Sequence, residues 1–488
     1  MFSRKPSPPS SWTEKKEEHH YDNNKITKES SLFFTATLKN NPRLKYTALL
    51  FFFLSSWYVI NSFWFNLPTK NDNSQNQNDV KISKTTVLNN CRNGTLSVYV
   101  YDLPAEFNFG LLENCRHLNV YTDMCPHVAN RGLGQPISDL GSGSGSGSTR
   151  PSWFATHQFI AEMIFHARVE SHACRTRDPG RAALFYVPFY GGLHASSKFR
   201  ESNLTERDAL AVRLVDFLTE QPWWRRNQGR DHLLALGRTA WDFMRAPQGP
   251  DFGANSLLNL PPLKNATVLT VERQPWQGKN QRGIPYPSYF HPSTWREVVT
   301  WQERVRGSSR PNLFSFIGGP RKGLEKAAIR DELIAQCSGS NRCELLRCGS
   351  KCHDPGHVLG VMARSVFCLQ APGDSFTRRS TFDSVLAGCI PVFFSEHTAY
   401  SQYGWFLPEE RGEYSVFIDE KSEASRRVEE ELARIPRERV ERMRERVIGL
   451  IPRLTYAHPN ATDAGFDDAV DVALAALADH VHFKLSLN

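Results

Sequence analysis

No zinc-finger spacing, no RNA-binding signature and no concentrated basic stripe occurs in this 488-residue chain, although its net charge is +8. The excess is dispersed: residues 1–45 hold nine Lys or Arg against five Asp or Glu, half of the total in one tail. A nucleic-acid partner is therefore without support. No G-x-S-x-G elbow is present, which removes an acyl hydrolase of that type. No Asp-x-Asp is present, so no such carboxylate pair exists to hold a divalent ion, and no metal ligands are assigned. No cysteine precedes Cys91, and Cys337, Cys343, Cys348 and Cys352 lack the paired C-x-x-C spacing of a zinc ribbon. That cluster reads as disulfides, with a connectivity that spacing does not reveal.

Charge is also missing from YTALLFFFLSSWYVINSFWF, Tyr46 to Phe65. As a helix this run spans about 30 Å, the thickness of a bilayer core. Lys39, Arg43 and Lys45 precede it, so the positive-inside rule keeps residues 1–45 cytoplasmic and sends the remainder into a lumen. The expected sequons, Asn93, Asn203, Asn265 and Asn460, all follow the span, as do the cysteines, in keeping with a compartment where glycans are added and disulfides persist. Residues 66–95 are polar and read as a stem.

From residue 96 the pattern alternates between β and α, which predicts parallel-sheet α/β architecture. Expected strands are Ser97–Pro104, Ala183–Gly192, His232–Leu236, Thr267–Val271, Leu313–Ile317, Val366–Ala371 and Cys389–Phe394. Two domains follow, 96–300 and 301–424, with GIPYPSYFHP (Gly283 to Pro292) as the hinge and helices over 425–488. The Gly-Ser repeat at 141–148 is a flexible insert.

Chemistry concentrates in GDSFTRRSTFDSVLAGCIPVFF, Gly373 to Phe394. Phe382, Val385 and Leu386 have helical spacing, Gly388 stands where a helix ends, and Ser375, Thr377 and Ser380 are candidate N-caps. Arg378 and Arg379 then lie in a loop at the carboxyl end of a parallel strand, a ligand-binding position in open α/β sheets. Two guanidinium groups beside a helix start suit phosphate oxygens; the alternative is that they pair with Asp374 and Asp383. A second glycine-rich turn, GGPRKG, offers Gly318, Gly319 and Arg321 to the same anion. For acid–base work the candidates are His157, His194, Asp242 and Glu272, and exposed aromatics among Trp153, Trp241, Trp276 and Tyr286 are candidates for stacking on a glycan.

The runs VYVYDLPAEFN, ATHQFIAEMIFHAR, FYVPFYGGL, LGRTAWDF, PWQGKNQRGIPYPSYFHP, LFSFIGGPR and CLQAPGDSFTRRSTFDSVLAGCIPVFF together resemble the exostosin-type glycosyltransferases of family 47, and within them the plant xyloglucan galactosyltransferase branch. The likeness covers about Leu96 to Leu454. It implies a GT-B fold, two Rossmann-like domains facing across a cleft, the second holding a UDP-sugar as donor substrate. It also implies an inverting transfer without an obligatory metal or other cofactor. The setting implied is a Golgi type II membrane enzyme acting on xyloglucan, open to complexes with other glycosyltransferases. On this reading Arg378, Arg379, Arg321, Gly318 and Gly319 face the diphosphate, Asp374, Ser375 and Asp383 place the loop or the sugar nucleotide, and the base is Glu272, then His194. Position 194 departs from the branch, which often carries Asp there. The rival readings are transfer from UDP-galacturonate or UDP-arabinose, and a non-catalytic glycan-binding or scaffold protein.

Overall fold

The computed structural model describes Cys91 and residues 95–486, except 139, 141–150, 247–251, 349–351, 353 and 462–463. The expected membrane span at 46–65, the tail before it, most of the stem, the insert at 141–148 and Asn93 lie outside the described residues. Among the described residues no helix is long and apolar enough to cross a membrane.

Two parallel sheets organise the chain. The first comprises β1 (Val98–Val100), β2 (Arg175–Thr176), β3 (Leu184–Val187), β4 (His232–Thr239), β5 (Thr267–Glu272) and β6 (Gln281–Gly283), in the order β2-β1-β3-β4-β5-β6. The second comprises β7 (Asn312–Gly318), β8 (Cys343–Arg347), β9 (Ser365–Gln370), β10 (Ile390–Phe393) and β11 (Val416–Phe417), in the order β11-β10-β9-β7-β8. Every pairing is parallel. The central strands are buried along their length because helices cover both faces: β3, β4, β5 and β10 have no exposed residue.

Both sheets share one topology. From the first strand the chain moves outward to an edge, then crosses back to the first strand's other side. Strand direction across the sheet therefore reverses between β1 and β3, and again between β7 and β9. Such a reversal leaves a crevice beyond the carboxyl ends of the two strands.

The helices that position the site are α1 (Ala161–Glu170), α2 (Gly191–Ser197), α3 (Leu204–Glu220), α4 (Trp295–Arg306), α5 (Ile329–Gly339), α6 (Pro355–Ala363), α7 (Arg379–Leu386), α8 (Arg437–Gly449) and α9 (Ala469–Ser486). One apolar core runs from Val98 and Ile164 in the first sheet's layer to Phe367 and Val392 in the second and on to Leu474 in α9. A second core, around Phe185, Leu214 and Val268, fills the first sheet's opposite face.

Several local expectations need correction. Ala183–Gly192 is not one strand ending in a turn: β3 stops before Pro188, and Gly191 and Gly192 begin α2. The reason is Glu162 on α1, whose carboxylate accepts the N–H groups of Gly192 and Leu193, both at 2.8 Å. The 425–450 segment is broken at Pro436, which has no N–H to continue the helix. The Gly283–Pro292 hinge is no exposed linker, since every residue from 283 to 292 is buried between the sheets. Its side chains tie the domains together: Tyr286 Oη meets Thr377 Oγ1 at 3.0 Å and Ser288 Oγ donates to Asp383 at 2.6 Å.

All ten cysteines pair, as Cys91–Cys174, Cys115–Cys125, Cys337–Cys343, Cys348–Cys352 and Cys368–Cys389. His172 lies beside Cys91 and Cys174, but those two sulfurs are bonded to each other. Helix α9 returns to the first domain. Asp468, just before it, accepts Arg168 Nε of α1 at 2.7 Å, and Asp471 meets His172 Nε2 at 2.8 Å, all within the interior.

Candidate functional site

The crevice between β7 and β9 gathers arginines. Arg330, one residue into α5, is 1% exposed and reaches back across both strand ends. Its Nε donates to Gly319 O at 2.8 Å, and its Nη1 lies 3.4 Å from both Ala371 O and Pro372 O. Its Nη2 is buried with no hydrogen-bond partner. Burial, then the Arg378 and Arg321 charges, push this guanidinium down to about 9, so it is still cationic at neutral pH. Arg378 closes the other side of the crevice, partly exposed, with no hydrogen bond or ion pair from its guanidinium to any described residue. Burial first, and Arg321 next, lower its pKa. Arg321, exposed on the Gly-Gly turn, pairs with Asp374 at 3.1 Å. Of the three guanidinium groups only that of Arg321 has a carboxylate in ion-pair contact among the described residues, which leaves the crevice with excess positive charge.

Glycine makes the crowding possible. A Cβ at Gly318 would overlap the Arg330 guanidinium, and one at Gly373 that of Arg378. The carbonyl of Ser375 accepts Gly373 N–H at 2.9 Å and closes the loop. None of Ser375, Thr377 or Ser380 caps α7; Arg378 occupies the cap position without a side-chain cap bond, and Ser380 Oγ donates instead to Gln370.

The paired arginines part company. Arg379 turns toward the first domain, donating through Nη1 to Thr156 O at 2.6 Å and lying 3.6 Å over the Tyr289 ring. Its Nε is 3.5 Å from Asp383, so the alternative pairing holds for this arginine and this aspartate. Burial raises the Asp383 pKa, against the pull of Arg379 and Ser288. Arg378, Arg321, Gly318, Gly319, Asp374 and Ser375 are brought together; Arg379 and Asp383 stand at the domain seam.

Glu272 ends β5 at that seam, fully buried. Oε1 accepts Trp241 Nε1 at 3.0 Å, while Oε2 accepts Thr377 N at 2.7 Å and Thr377 Oγ1 at 2.6 Å. It thereby ties the first sheet to the arginine-bearing loop. Next to it Trp276 is 62% exposed, its ring 6.2 Å from Trp241, 5.9 Å from Phe376 and 5.2 Å from His397. His397 is partly exposed, with Nδ1 3.0 Å from Ser401 Oγ. Burial lowers its pKa, which favours the neutral ring. Trp153 and Tyr286 are core residues.

Of the other acid–base candidates, His157 and Asp242 stand close to the seam, near Arg379 and Tyr286, and His194 does not. His194 is buried and pushed down to about 4 by burial, then by Lys198 and Arg213; those neighbours place it toward α3, away from the seam. His157 is held down to about 3 by burial and then by His127. Asp242 pairs with Arg238 at 2.8 Å. In the first domain the start of α2 is already filled by Glu162, which also accepts Gly237 N at 2.9 Å. The first domain's helix start thus meets a carboxylate of the chain itself, whereas the second domain's crevice is lined by guanidinium groups. Asn203, Asn265 and Asn460 are all exposed.

Sequence reading missed Arg330 and His397. Arg330 follows a run that looks like an ordinary amphipathic helix, and only the β7–β9 adjacency aims it at a ligand. The partial signal was its position a dozen residues after Gly318-Gly319.

Residues 92–432 match the exostosin GT47 domain. The chain is 67% identical over 385 residues, 78% of its length and 82% of the relative's, to the probable xyloglucan galactosyltransferase GT17 of Arabidopsis thaliana. To the xyloglucan galactosyltransferase MUR3 of the same plant it is 45% identical, over 79% of this chain and 62% of that one. To xyloglucan-specific galacturonosyltransferase 1 of Arabidopsis thaliana it is 40% identical, over 78% of this chain and 56% of that one. The chain belongs to the exostosin GT47 family.

Proposed function

We propose that this protein is an inverting glycosyltransferase of GT-B architecture that moves galactose from UDP-galactose to xylosyl side chains of xyloglucan. The observation that carries the reading is the excess positive charge of Arg321, Arg330 and Arg378 at the β7–β9 crevice, in a chain 67% identical to a relative named for this transfer. When an acceptor hydroxyl attacks the anomeric carbon, the bond from that carbon to the diphosphate breaks and its electron pair leaves with UDP. Preorganised guanidinium groups stabilise the charge that develops there. In this reading no metal or separate cofactor is required, because the arginines supply the countercharge. The acceptor proton goes to His397 Nε2 at the seam, while Glu272, whose oxygens are engaged by Trp241 and Thr377, positions the loop. The Trp241–Trp276 pair offers a stacking face for the acceptor.

The charge-free run at 46–65 and the sequons after it support a Golgi type II topology with glycans on Asn203, Asn265 and Asn460. A second donor, UDP-galacturonate, is kept because one relative bears that specificity in its name. The decisive experiment incubates the full chain with xyloglucan and a panel of UDP-sugars, alongside His397→Ala. Transfer from UDP-galactose, lost by about a hundredfold or more in kcat in the variant, is expected; transfer from UDP-galacturonate alone would overturn the donor assignment.

A further inference from the structure

The first sheet has a switch point of its own, between β1 and β3, and a cavity of about 390 Å³ lies there. Its walls are the carboxyl ends of three neighbouring strands and the segments that leave them: Tyr99 to Leu103 at the end of β1, Arg175 to Arg177 at the end of β2, and Pro188 after β3. This is the topological position at which the second sheet gathers its arginines, but the chemistry differs. The charged side chains facing the cavity are Asp102 and Glu170 against Arg175 and Arg177, two of each sign. Glu170 is engaged with Arg175 at 2.6 Å. No excess charge remains to recruit a phosphate, so the matching ligand is neutral and rich in hydroxyl groups.

Of the apolar residues in the wall, Val100, Tyr101, Leu103 and Pro188 are buried, and Phe109 is the exposed one. Phe109 is 58% exposed and offers its ring to the cavity. It is fixed in place: its ring lies 5.4 Å from His166 at 34° and meets Tyr190 edge-on at 5.9 Å. Asn108 anchors the backbone beside it, accepting Phe109 N–H at 2.6 Å and donating through Nδ2 to Pro188 O at 3.3 Å. His166 in turn is steadied by Tyr190 Oη at 2.9 Å. A flat, rigid aromatic face bordered by carboxylates and guanidinium groups suits a pyranose ring, whose C–H face is apolar and whose rim is hydroxyl.

Position sets the role. The cavity opens at β1, and Glu272 at the domain seam ends β5, three strand spacings away through β3 and β4, or about 14 Å. One sugar cannot occupy both places, whereas an extended polymer can. We propose that this cavity is a distal subsite for the neutral backbone of the polysaccharide acceptor, with Phe109 as its stacking platform. The proposal rests on the acceptor class assigned above.

The test uses the full chain, wild type against Phe109→Ala and Phe109→Trp. Calorimetric binding of cello-oligosaccharides and xyloglucan oligosaccharides, without donor, reads the subsite directly. Phe109→Ala is expected to weaken binding of the longer oligosaccharides by about three- to tenfold, the worth of one aromatic contact, and Phe109→Trp to restore it. In transfer assays the ratio of kcat/KM for polymeric xyloglucan to that for a single-repeat oligosaccharide should fall by the same factor in Phe109→Ala. Undiminished binding and an unchanged ratio would overturn the subsite, as would tighter binding of polygalacturonate than of the neutral oligosaccharides. If no UDP-sugar supports transfer yet oligosaccharide binding still depends on Phe109, the subsite stands and the transferase assignment falls.

Discussion

Arg378 and Arg379 are adjacent in the chain and opposite in task, because Arg378 is the extended residue that precedes α7 and Arg379 is the first residue inside it. The Arg378 guanidinium has no hydrogen-bonding or ion-pairing partner among the described residues, whereas that of Arg379 is engaged by Thr156, Tyr289 and Asp383. The two single variants should therefore differ. Arg378→Ala is expected to weaken UDP binding about ten- to a hundredfold, the worth of charge-assisted hydrogen bonds, with little change in melting temperature. Arg379→Ala should lower the melting temperature and move UDP affinity less; isothermal titration with UDP and a thermal scan of each variant check both. Sequence alone ranked these two residues equally, since Arg-Arg in a loop carries no record of which guanidinium faces the crevice. It also passed over Arg330, whose value comes from reaching across strands that are 47 positions apart at their nearest ends, Gly318 and Ser365.

Strands were legible in proportion to their burial. Those expected from apolar runs are β1, β3, β4, β5, β7, β9 and β10, all of them interior to their sheets. Those that escaped are β2, β6, β8 and β11, the four edges of the two sheets. An edge strand pairs on one side only and tolerates residues such as Arg175, Gln281 and Glu344, so its composition does not announce it. The α2 start was missed for a related reason: a glycine pair after a strand usually marks a turn, and only the tertiary approach of Glu162 converts it into a helix. That contact has a measurable signature. Burial pushes the Glu162 carboxyl up to about 7, against the pull of the Gly237, Gly192 and Leu193 N–H groups. Between its ordinary value of 4.5 and about 7 the native state thus holds a proton that the unfolded state has released, and stability falls as pH rises through that window. The loss should approach about 3 kcal/mol, and Glu162→Gln should flatten that part of the profile in urea titrations at pH 5 and pH 7.5.

Viewed whole, the protein repeats one crossover pattern twice and differentiates the copies by charge, a cationic crevice in the second sheet and a charge-balanced one in the first. The domains are joined through buried polar contacts, among them Thr377 with Glu272, and through α9, which returns past the second domain to meet α1. Arg168 is 4% exposed, with Asp468 at 2.7 Å and Asp471 at 3.6 Å as its countercharges, so Asp468→Ala would remove the closer of two carboxylates from a buried guanidinium. A loss of about 3–5 kcal/mol is expected, read as a lowered urea midpoint, while Arg168→Met with Asp468→Leu should recover much of it.

The same ion pair orders events during synthesis. Arg168 emerges from the ribosome 300 residues before Asp468, and at about 5–20 residues per second the interval is on the order of 15–60 s. Throughout it, the first domain holds an arginine it cannot bury. The half of the molecule made first is thus finished last, when residues 468–471 arrive to close the α1 face.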